Sequence, residues 1–305
     1  MGFSWKVLKE LKVLMLSSDI ALSFLPAANI YCALVRILGS RTSHISCEMS
    51  TTNEIETKTR RFLANLANLC SNHVVCNSLT QADYVKDLPG MTNKVSTIWN
   101  GYNIYPSAKQ PRKDSSLLSL IVVGRIAYPK NGVRLLRALK LFNERNGYVP
   151  RLSWAGRDDS GQKDKLMKEQ MIDFLSSNPD INEQFQFLGE VSDINTLYQN
   201  SDGLILVSLY EGLPNVICEA MLNKCPIIAS HISDNSKLLG ESEDQGFLCD
   251  PLSPESICLA IERRASISAD ALNIMTEKAR RFAEDNFSLS VMIDKYEQVI
   301  KNINR

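Results

Sequence analysis

Short apolar runs alternate with longer segments of helical periodicity along most of the chain. Parallel strands need a crossover helix between them, so this alternation predicts an α/β fold built from parallel sheets. The first part of the chain is predicted to contain strands 20–25, 43–47, 73–77 and 94–98, and helices 3–16, 27–38, 54–71 and 79–87.

The alternation is interrupted over residues 105–116, whose sequence is YPSAKQPRKDSS. This segment is polar, contains Pro106 and Pro111, and has no apolar periodicity, which is typical of an exposed linker. We therefore predict two Rossmann-like domains, one in residues 1–107 and one in residues 108–285. A final helix in residues 286–305 is predicted to pack toward the first domain.

Beyond the linker, six strands again alternate with helices. The predicted strands are 118–123, 151–155, 184–188, 203–208, 226–230 and 246–249. The predicted helices are 131–145, 162–177, 192–200, 215–223, a short one near 235, 254–265, 269–285 and 289–303. Doubly wound sheets bind ligands where the carboxyl ends of strands lead into helices, so candidate chemistry is expected at those junctions.

Composition excludes some classes of function. The 305 residues include 34 acidic and 34 basic side chains, and this neutral balance, without basic runs, argues against a nucleic-acid partner. Eight cysteines form no CxxC pair, which is typical of buried thiols in a reducing compartment. Zinc ligation and disulfides are the minor alternatives, and we expect a cytoplasmic protein.

The first predicted helix, 3–16, carries Lys6, Lys9 and Lys12 between apolar residues. Its periodicity differs from the uninterrupted apolar core of a signal peptide. The apolar stretch 20–38 contains a proline and polar residues, which favours a strand, a turn and a helix over a membrane span. Two interpretations of the first helix stay open: it covers a sheet face, or it contacts anionic lipid at the inner face of the cell membrane.

One strand–helix junction has the sequence VVGRIAYPKNG. Gly124 ends the strand and lets a ligand approach the backbone, while Arg125 and Lys130 precede a helix. A guanidinium and an ammonium beside a helix N-terminus are suited to binding a diphosphate. The alternative interpretation is a solvated basic loop.

A second junction has the sequence SLYEGLPNVICEAM. Gly212 and Pro214 are typical of a turn that leads into a helix, and Glu211 and Glu219 lie on either side of it. A carboxylate on an apolar helix face is costly unless it is paired, and ribose hydroxyls would pair with it. The alternative for each glutamate is helix capping.

These segments resemble the family-four retaining glycosyltransferases, which have the GT-B fold. EGLPNVICEAM resembles their E-x7-E signature, VVGRIAYPKNG their phosphate-binding segment, and SWAGR the glycine turn after their second strand. FLGEVSDINTLYQNSDGLILVS and DQGFLCDP are similar to the family's nucleobase loop with its strands and to a later turn. The resemblance covers about residues 18–303 and is most specific in residues 118–260.

The resemblance implies metal-independent transfer of a hexose, with retention, from a UDP- or GDP-sugar to a glycan or lipid-linked acceptor in cell-surface polysaccharide synthesis. No cofactor or bound metal is implied. The implied catalytic residues are Arg125, Lys130 and Glu211. The implied donor-binding residues are Gly124, Gly156, Val191, Asp193, Gly212, Leu213, Asn215 and Glu219. For Asp193, capping of the following helix is an equal alternative.

The first part departs from the family pattern. Relatives have about three βα units before the segment DIALSFLPAANI, whereas one helix precedes it here. We therefore expect an incomplete first domain in which strand 20–25 has an open edge: either the reading frame is truncated, or another chain covers that edge. In many relatives a histidine follows the strand that corresponds to residues 43–47. This chain has the segment SCEMS there, in which Glu48 is the nearby acidic residue, and no acid–base role is assigned to that segment.

Two other functions stay open. The shortened N-terminal part is compatible with an inactive remnant that binds nucleotide sugars without transferring them. Sugar-nucleotide 2-epimerases share the GT-B architecture, but they need acidic and histidine groups around the sugar that we cannot assign, and the E-x7-E spacing argues against them.

Overall fold

The computed structural model describes residues 3–49, 58–104 and 117–303. The chain forms two compact units, and each contains one parallel sheet. The first unit comprises Met1–Asn103, Glu211–Leu213 and Asn286–Arg305. The second comprises Ile104–Tyr210 and Pro214–Asp285. The first unit is therefore discontinuous in sequence.

The N-terminal part of the first unit alternates helices and strands. Its strands are β1 (Ile20–Phe24), β2 (Ser43–Glu48), β3 (His73–Cys76) and β4 (Val95–Thr97). Its helices are α1 (Trp5–Leu16), α2 (Pro26–Ile37), α3 (Lys58–Leu69) and α4 (Leu79–Lys86). The strands pair in the order β1-β2-β3-β4, so β1 is an edge strand among the residues that the structure describes.

Local sequence signals set the starts of these helices. The side chains of Ser4 and Ser78 accept hydrogen bonds from backbone N–H groups three residues later and thereby cap α1 and α4. Pro26 begins α2, where its missing N–H would have no helical partner.

Alternation along β2 sorts its side chains between the two faces of the first sheet. On one face, the Ser46 hydroxyl donates to Asn68 Oδ1 of α3 over 2.8 Å. On the other face, Ile45 and Cys47 are fully buried in an apolar cluster. Helices therefore pack on both faces of this sheet.

The second unit contains six strands. They are β5 (Ser119–Val123), β6 (Arg151–Ala155), β7 (Phe185–Gly189), β8 (Gly203–Leu206), β9 (Ile227–Ser230) and β10 (Phe247–Cys249). Its helices are α5 (Gly132–Asn146), α6 (Gln162–Ser176), α7 (Pro179–Gln184), α8 (Ile194–Gln199), α9 (Asn215–Leu222), α10 (Asn235–Leu239), α11 (Pro254–Ser266) and α12 (Ala269–Phe287).

The strand order of this sheet is β10-β9-β8-β5-β6-β7, and its pairs are parallel. The chain moves outward from β5 to β6 and β7, then returns to place β8 on the other side of β5. The direction of winding thus reverses beside β5. In doubly wound sheets the carboxyl ends of strands at such a reversal form the ligand crevice.

The core of the second unit lies between its sheet and its helices. The largest fully buried side chains there are Trp154, Tyr198 and Phe142. Apolar residues of α5 and α11 join the strands in one cluster, and these two helices pack against each other. This packing gives the strand ends a rigid support.

The chain returns to the first unit through α13 (Leu289–Ile303). Val299 packs in one cluster with Ile45, Cys47 and Val75 of the first sheet. This helix therefore covers the face of the sheet that carries Ile45 and Cys47.

The predicted α/β fold with two parallel sheets is confirmed. The predicted strand 203–208 ends early, at Leu206, because the pairing of β8 with β9 stops at that residue. Val207 and Ser208, which follow, are also buried, and their burial explains why the apolar pattern predicted a longer strand. Helix α7 and the 3₁₀ turns Thr92–Lys94 and Tyr128–Lys130 were not predicted, since such short elements carry little periodicity.

Two sequence predictions concern residues outside those described. The linker 105–116, with the predicted domain boundary, lies outside them entirely. The predicted helix 54–71 is described only from Lys58, where α3 begins. None of the helices in the described parts of the chain has the length and apolarity required to cross a membrane.

Candidate functional site

The end of β5 brings a glycine and a lysine together. Gly124 has a φ of +137°, a value that residues other than glycine rarely adopt. A Cβ built on Gly124 would lie 3.3 Å from Lys130 Cε and 3.7 Å from Lys130 Nζ. The Lys130 side chain therefore lies over the end of the strand.

The end of β6 touches the end of β5 through a second glycine. A Cβ built on Gly156 would lie 1.9 Å from the carbonyl oxygen of Gly124, so no larger residue fits without moving a strand. The same carbonyl accepts a hydrogen bond from Trp154 Nε1 over 2.9 Å. Buried packing thus fixes the distance between the two glycines.

An open cavity of about 610 Å³ lies at these two strand ends. Four of the predicted site residues line it: Gly124, Arg125, Gly156 and Val191. The other lining residues are Val123, Ala155, Arg157, Glu190, Ser192 and Ile194. Its volume is within the range of small-molecule sites, and its two arginines favour an anionic ligand.

Both arginines of the cavity are engaged in exposed ion pairs. Arg125 pairs with Asp159, and Arg157 Nη1 lies 3.7 Å from Glu190 Oε1. The two arginine side chains are 60% and 68% exposed, so water screens these pairs and each stabilises the fold little. A bound phosphate can therefore replace either carboxylate at small cost.

Asn131, which sequence reasoning did not single out, connects the lysine turn to two other loops. Its Nδ2 donates to the carbonyl oxygens of Val207 over 3.0 Å and Pro251 over 2.7 Å. The residue is buried and has a φ of +60°, which asparagine tolerates better than most residues. These bonds hold the adjacent Lys130 in place. The sequence signal that could have identified Asn131 is its position between a lysine and the glycine that begins α5.

The predicted site residues in the loop after β8 and in the helix that follows it fall into different units of the structure. Glu211, Gly212 and Leu213 belong to the first unit, whereas Asn215 begins α9 in the second. The N-cap residue of α9 is Pro214, whose side chain makes no capping hydrogen bond. A helix N-terminus of this kind is suited to an anion.

Glu219, one turn into α9, has a protein partner that was not predicted. The Tyr198 hydroxyl donates to Glu219 Oε2 over 2.9 Å, and Tyr198 itself is fully buried. Burial raises the pKa of Glu219, while the hydrogen bond from Tyr198 acts in the opposite direction. Glu219 is half-buried and is not among the residues that line the cavity at β5 and β6.

Asp193 caps α8. Its carboxylate accepts a hydrogen bond from Thr196 N over 3.0 Å and another from the Thr196 hydroxyl over 2.6 Å. These bonds lower the pKa of Asp193. Its neighbours Val191, Ser192 and Ile194 line the cavity, so the cap positions the cavity wall.

Glu48 in the first unit is fully buried at the end of β2. Asn29 Nδ2 lies 3.4 Å from Glu48 Oε1, and the Ser23 hydroxyl bridges Asn29 Oδ1 and His44 Nε2 over 2.7 Å each. Burial and the nearby Arg36 lower the pKa of His44 to about 4, so its ring is neutral near pH 7. The side chains of Ser23, Asn29, His44 and Glu48 thus form one buried polar cluster in the first unit.

Sequence comparison decides the family. The profile described as "Glycosyl transferases group 1" matches residues 106–282, which is more than half of the chain. The chain belongs to this family. The matched range contains the cavity at β5 and β6, the lysine turn and α9.

Curated relatives are similar over part of their length. An Escherichia coli UDP-Gal:alpha-D-GlcNAc-diphosphoundecaprenol alpha-1,3-galactosyltransferase is 26% identical over 247 residues, which are 77% of this chain and 61% of the relative. A Campylobacter jejuni alpha-1,4-N-acetyl-D-galactosaminyltransferase, named for a diNAcBac-PP-undecaprenol-linked acceptor, is 26% identical over 78% of this chain and 62% of its own. An uncharacterised Haemophilus influenzae glycosyltransferase is 25% identical over 68% and 56%. The chain thus spans about three fifths of these relatives.

Solved structures show that this chain has the GT-B fold. A Rickettsia africae glycosyltransferase superposes with a TM-score of 0.82 at 19% identity, covering 100% of this chain and 84% of its own. Anabaena Alr3699/HepE, crystallised with UDP, has a TM-score of 0.80 at 19% identity, covering 97% and 82%.

Proposed function

We propose that the protein transfers a hexose, with retention and without a metal ion, from a UDP-sugar to a lipid-linked or glycan acceptor in cell-surface polysaccharide synthesis. A GDP-sugar is the alternative donor. The observation that carries the proposal is the cavity at β5 and β6, which Gly124 and Arg125 line, together with the Lys130 side chain, which lies beside Gly124 without lining the cavity. Two cations beside exposed backbone suit a diphosphate.

In the proposed reaction, the bond between the anomeric carbon and the diphosphate oxygen breaks while the acceptor oxygen attacks from the same face. The acceptor proton passes to the departing phosphate. Arg125 and Lys130 neutralise the charge that grows on the diphosphate, and one well-placed group of this kind stabilises a transition state by about 3–4 kcal/mol. The N-terminus of α9 adds a favourable dipole.

Other residues would hold the donor. Glu211 is proposed to bind sugar hydroxyls and Glu219 the ribose hydroxyls, while the backbone of Val191 faces the base. The backbone of the segment 212–215 is proposed to contact sugar or phosphate. Of these residues, Val191 lines the cavity described above.

Relatives support the choice of substrates. The names of the E. coli and C. jejuni relatives specify undecaprenyl-diphosphate acceptors, and the first also specifies UDP-galactose. HepE was crystallised with UDP and with UDP-glucose. A cytoplasmic location is also proposed, and the eight free cysteines support it because disulfides are rare in reducing compartments.

Nucleotide binding is the first test. Melting temperatures would be measured with UDP, GDP, ADP and their sugars. We expect UDP and a UDP-sugar to raise the melting temperature most, since a ligand at about 100 times its Kd adds about 2.7 kcal/mol of stability. If no nucleotide stabilises the fold, the proposed donor site is wrong.

Turnover of the variants Arg125→Ala and Lys130→Ala is the second test. Each is expected to lower kcat about 10²-fold with an unchanged urea midpoint. Lys140→Ala, on the exposed side of α5, is the matched control. UDP-galactose and a polyprenyl-diphosphate-linked N-acetylglucosamine would be the substrates, assayed with and without a chelator. Nearly normal rates in both variants would contradict the assigned roles.

The product distinguishes the proposal from its alternatives. An α-linked product from an α-linked donor indicates retention. UDP binding without any transfer would identify the inactive remnant considered above, and conversion of the UDP-sugar to its C2 epimer without an acceptor would identify an epimerase.

A further inference from the structure

A smaller cavity of the second unit lies between α5 and α6. Its volume is about 240 Å³, and we call it the α5–α6 cavity. The residues that line it are all different from those that line the cavity at β5 and β6, so the two cavities are separate. The lining residues of the α5–α6 cavity are Tyr128, Asn131, Val133, Arg134, Arg137, Met167 and Gln170.

The packing of two helices brings these side chains together. Arg134 and Arg137 are three positions apart on α5, and Met167 and Gln170 are three positions apart on α6. Residues with this spacing lie on the same face of a helix, and the two helices pack against each other. One wall of the α5–α6 cavity therefore carries two guanidinium groups, and the other carries a thioether and an amide.

The charge of the α5–α6 cavity is positive. Within the described parts of the chain, neither Arg134 nor Arg137 forms an ion pair, in contrast to the two arginines of the other cavity. Lys163 Nζ lies 5.6 Å from the centroid of the Tyr128 ring and adds a third cation nearby. The carboxylate of Asp164 accepts a hydrogen bond from Tyr128 N over 2.7 Å, so the backbone holds it. An anion is therefore the favoured ligand.

One of the two guanidinium groups is held in a fixed orientation. Arg134 is half-buried, and its Nη1 donates to Asn131 Oδ1 over 2.9 Å. Asn131 is itself 4% exposed and is anchored by its bonds to Val207 and Pro251. A guanidinium carries several N–H donors, and this bond engages one of them. Since its plane is set before a ligand arrives, Arg134 is suited to bind a phosphate through the others.

We propose that the α5–α6 cavity binds a phosphate monoester of a small hydroxylated molecule, such as a sugar phosphate, as a second ligand beside the donor. Its volume is below the range of about 300–1,000 Å³ that is typical of sites for larger ligands, so a nucleotide sugar does not fit. The arginines bind the phosphate, while the Tyr128 ring, Met167 and the Gln170 amide contact the hydroxylated part. No residue assigned to glycosyl transfer lines this cavity, so the inference does not depend on the proposed function.

Isothermal titration calorimetry on the whole protein tests the inference. The protein would be titrated with glucose 6-phosphate, inorganic phosphate and glucose, each in the presence of saturating UDP, which keeps phosphate out of the donor site. Glucose 6-phosphate is expected to bind, inorganic phosphate to bind more weakly, and glucose to show no binding. The same titrations on the Arg125→Ala variant without UDP should give the same order, because Arg125 does not line the α5–α6 cavity.

Two charge reversals separate a specific contact from a general effect of charge. Arg137→Glu changes an exposed residue of the cavity wall and is expected to weaken glucose 6-phosphate binding at least about 10-fold, since a charge-assisted hydrogen bond is lost. The matched control, Lys165→Glu, makes the same change of charge at an exposed residue of α6 that does not line the cavity. Its affinity should stay within about twofold, because solvent screens such a charge.

Circular dichroism of each variant would verify folding. The inference is overturned if glucose 6-phosphate does not bind the unmodified protein, if it binds no more tightly than inorganic phosphate, or if the two charge reversals weaken it equally. Loss of binding in the presence of UDP would place the phosphate in the donor site and would also overturn it. UDP binding by the Arg137→Glu variant should be unchanged, so failure here is distinct from failure of the proposed function.

Discussion

At the scale of single residues, the pair formed by Tyr198 and Glu219 joins α8 to α9. The tyrosine hydroxyl favours the charged carboxylate, whereas burial favours the protonated form and raises the pKa of Glu219. The hydroxyl therefore offsets part of the penalty for holding a charge at this half-buried position.

Tyr198→Phe should lower the free energy of unfolding by about 1–2 kcal/mol near pH 7, because a hydrogen bond to a charged group is lost. The hydroxyl stabilises the ionised form, so the loss is full above the pKa of Glu219 and shrinks as the pH falls through it. Urea unfolding at neutral and acidic pH measures both values.

Tyr148→Phe is the control for this prediction, since Tyr148 is also partly buried and packs edge-on against Phe142. It should change stability much less. A Tyr198→Phe loss that stays constant with pH would show that the hydroxyl does not act on a titrating carboxylate.

Sequence reasoning found residues whose partners are local and missed residues whose partners are distant. Capping by Asp193 was foreseen as one of two interpretations because its partner, Thr196, is three residues away. Tyr198 bonds a residue 21 positions later, and Asn131 bonds Pro251. Such pairs depend on the order of strands in the sheet, which periodicity does not specify.

At the scale of elements, the ends of β5 and β6 are in direct contact through Gly124 and Gly156. The lengths of most strands and helices followed from apolar periodicity. The contact between the two glycines could not be predicted from periodicity, because it requires two strands to be neighbours and their last residues to lie side by side.

Gly156→Ala should lower the free energy of unfolding by about 2–4 kcal/mol, because the new methyl group overlaps the Gly124 carbonyl and separates the strand ends. UDP-induced stabilisation should fall as well, since both glycines line the cavity. Urea denaturation and a melting-temperature shift with UDP provide the two measurements.

The control is Gly147→Ala, at the end of α5, where a Cβ meets open space and only the φ of +74° is unfavourable. A loss of about 1 kcal/mol is expected there. Equal losses in the two variants would mean that β5 and β6 tolerate separation.

At the scale of the whole molecule, the first unit is made of three separate parts of the chain. Four strands come from the N-terminal part, and α13 covers one face of their sheet. The packing of a last helix toward the first domain was predicted, although the alternating pattern alone gives no partner for such a helix.

Val299→Asp should destabilise the first unit by about 3–5 kcal/mol, because it places an unpaired carboxylate among Ile45, Cys47 and Val75. Ile293→Asp changes an exposed residue of the same helix and should stay within about 0.5 kcal/mol. Thermal unfolding and the rate at which Cys47 reacts with a thiol reagent would report the difference. Similar behaviour of the two variants would mean that α13 is dispensable for the sheet.

The position of α13 in the chain has a consequence for biosynthesis. After β4 has been translated, residues 104–285 must be added before α13 is made, which takes roughly 10 to 40 seconds at typical rates of synthesis. During that interval one face of the nascent sheet, with Ile45 and Val75, has no cover from its own chain. A ribosome-associated chaperone would find its binding site on that face.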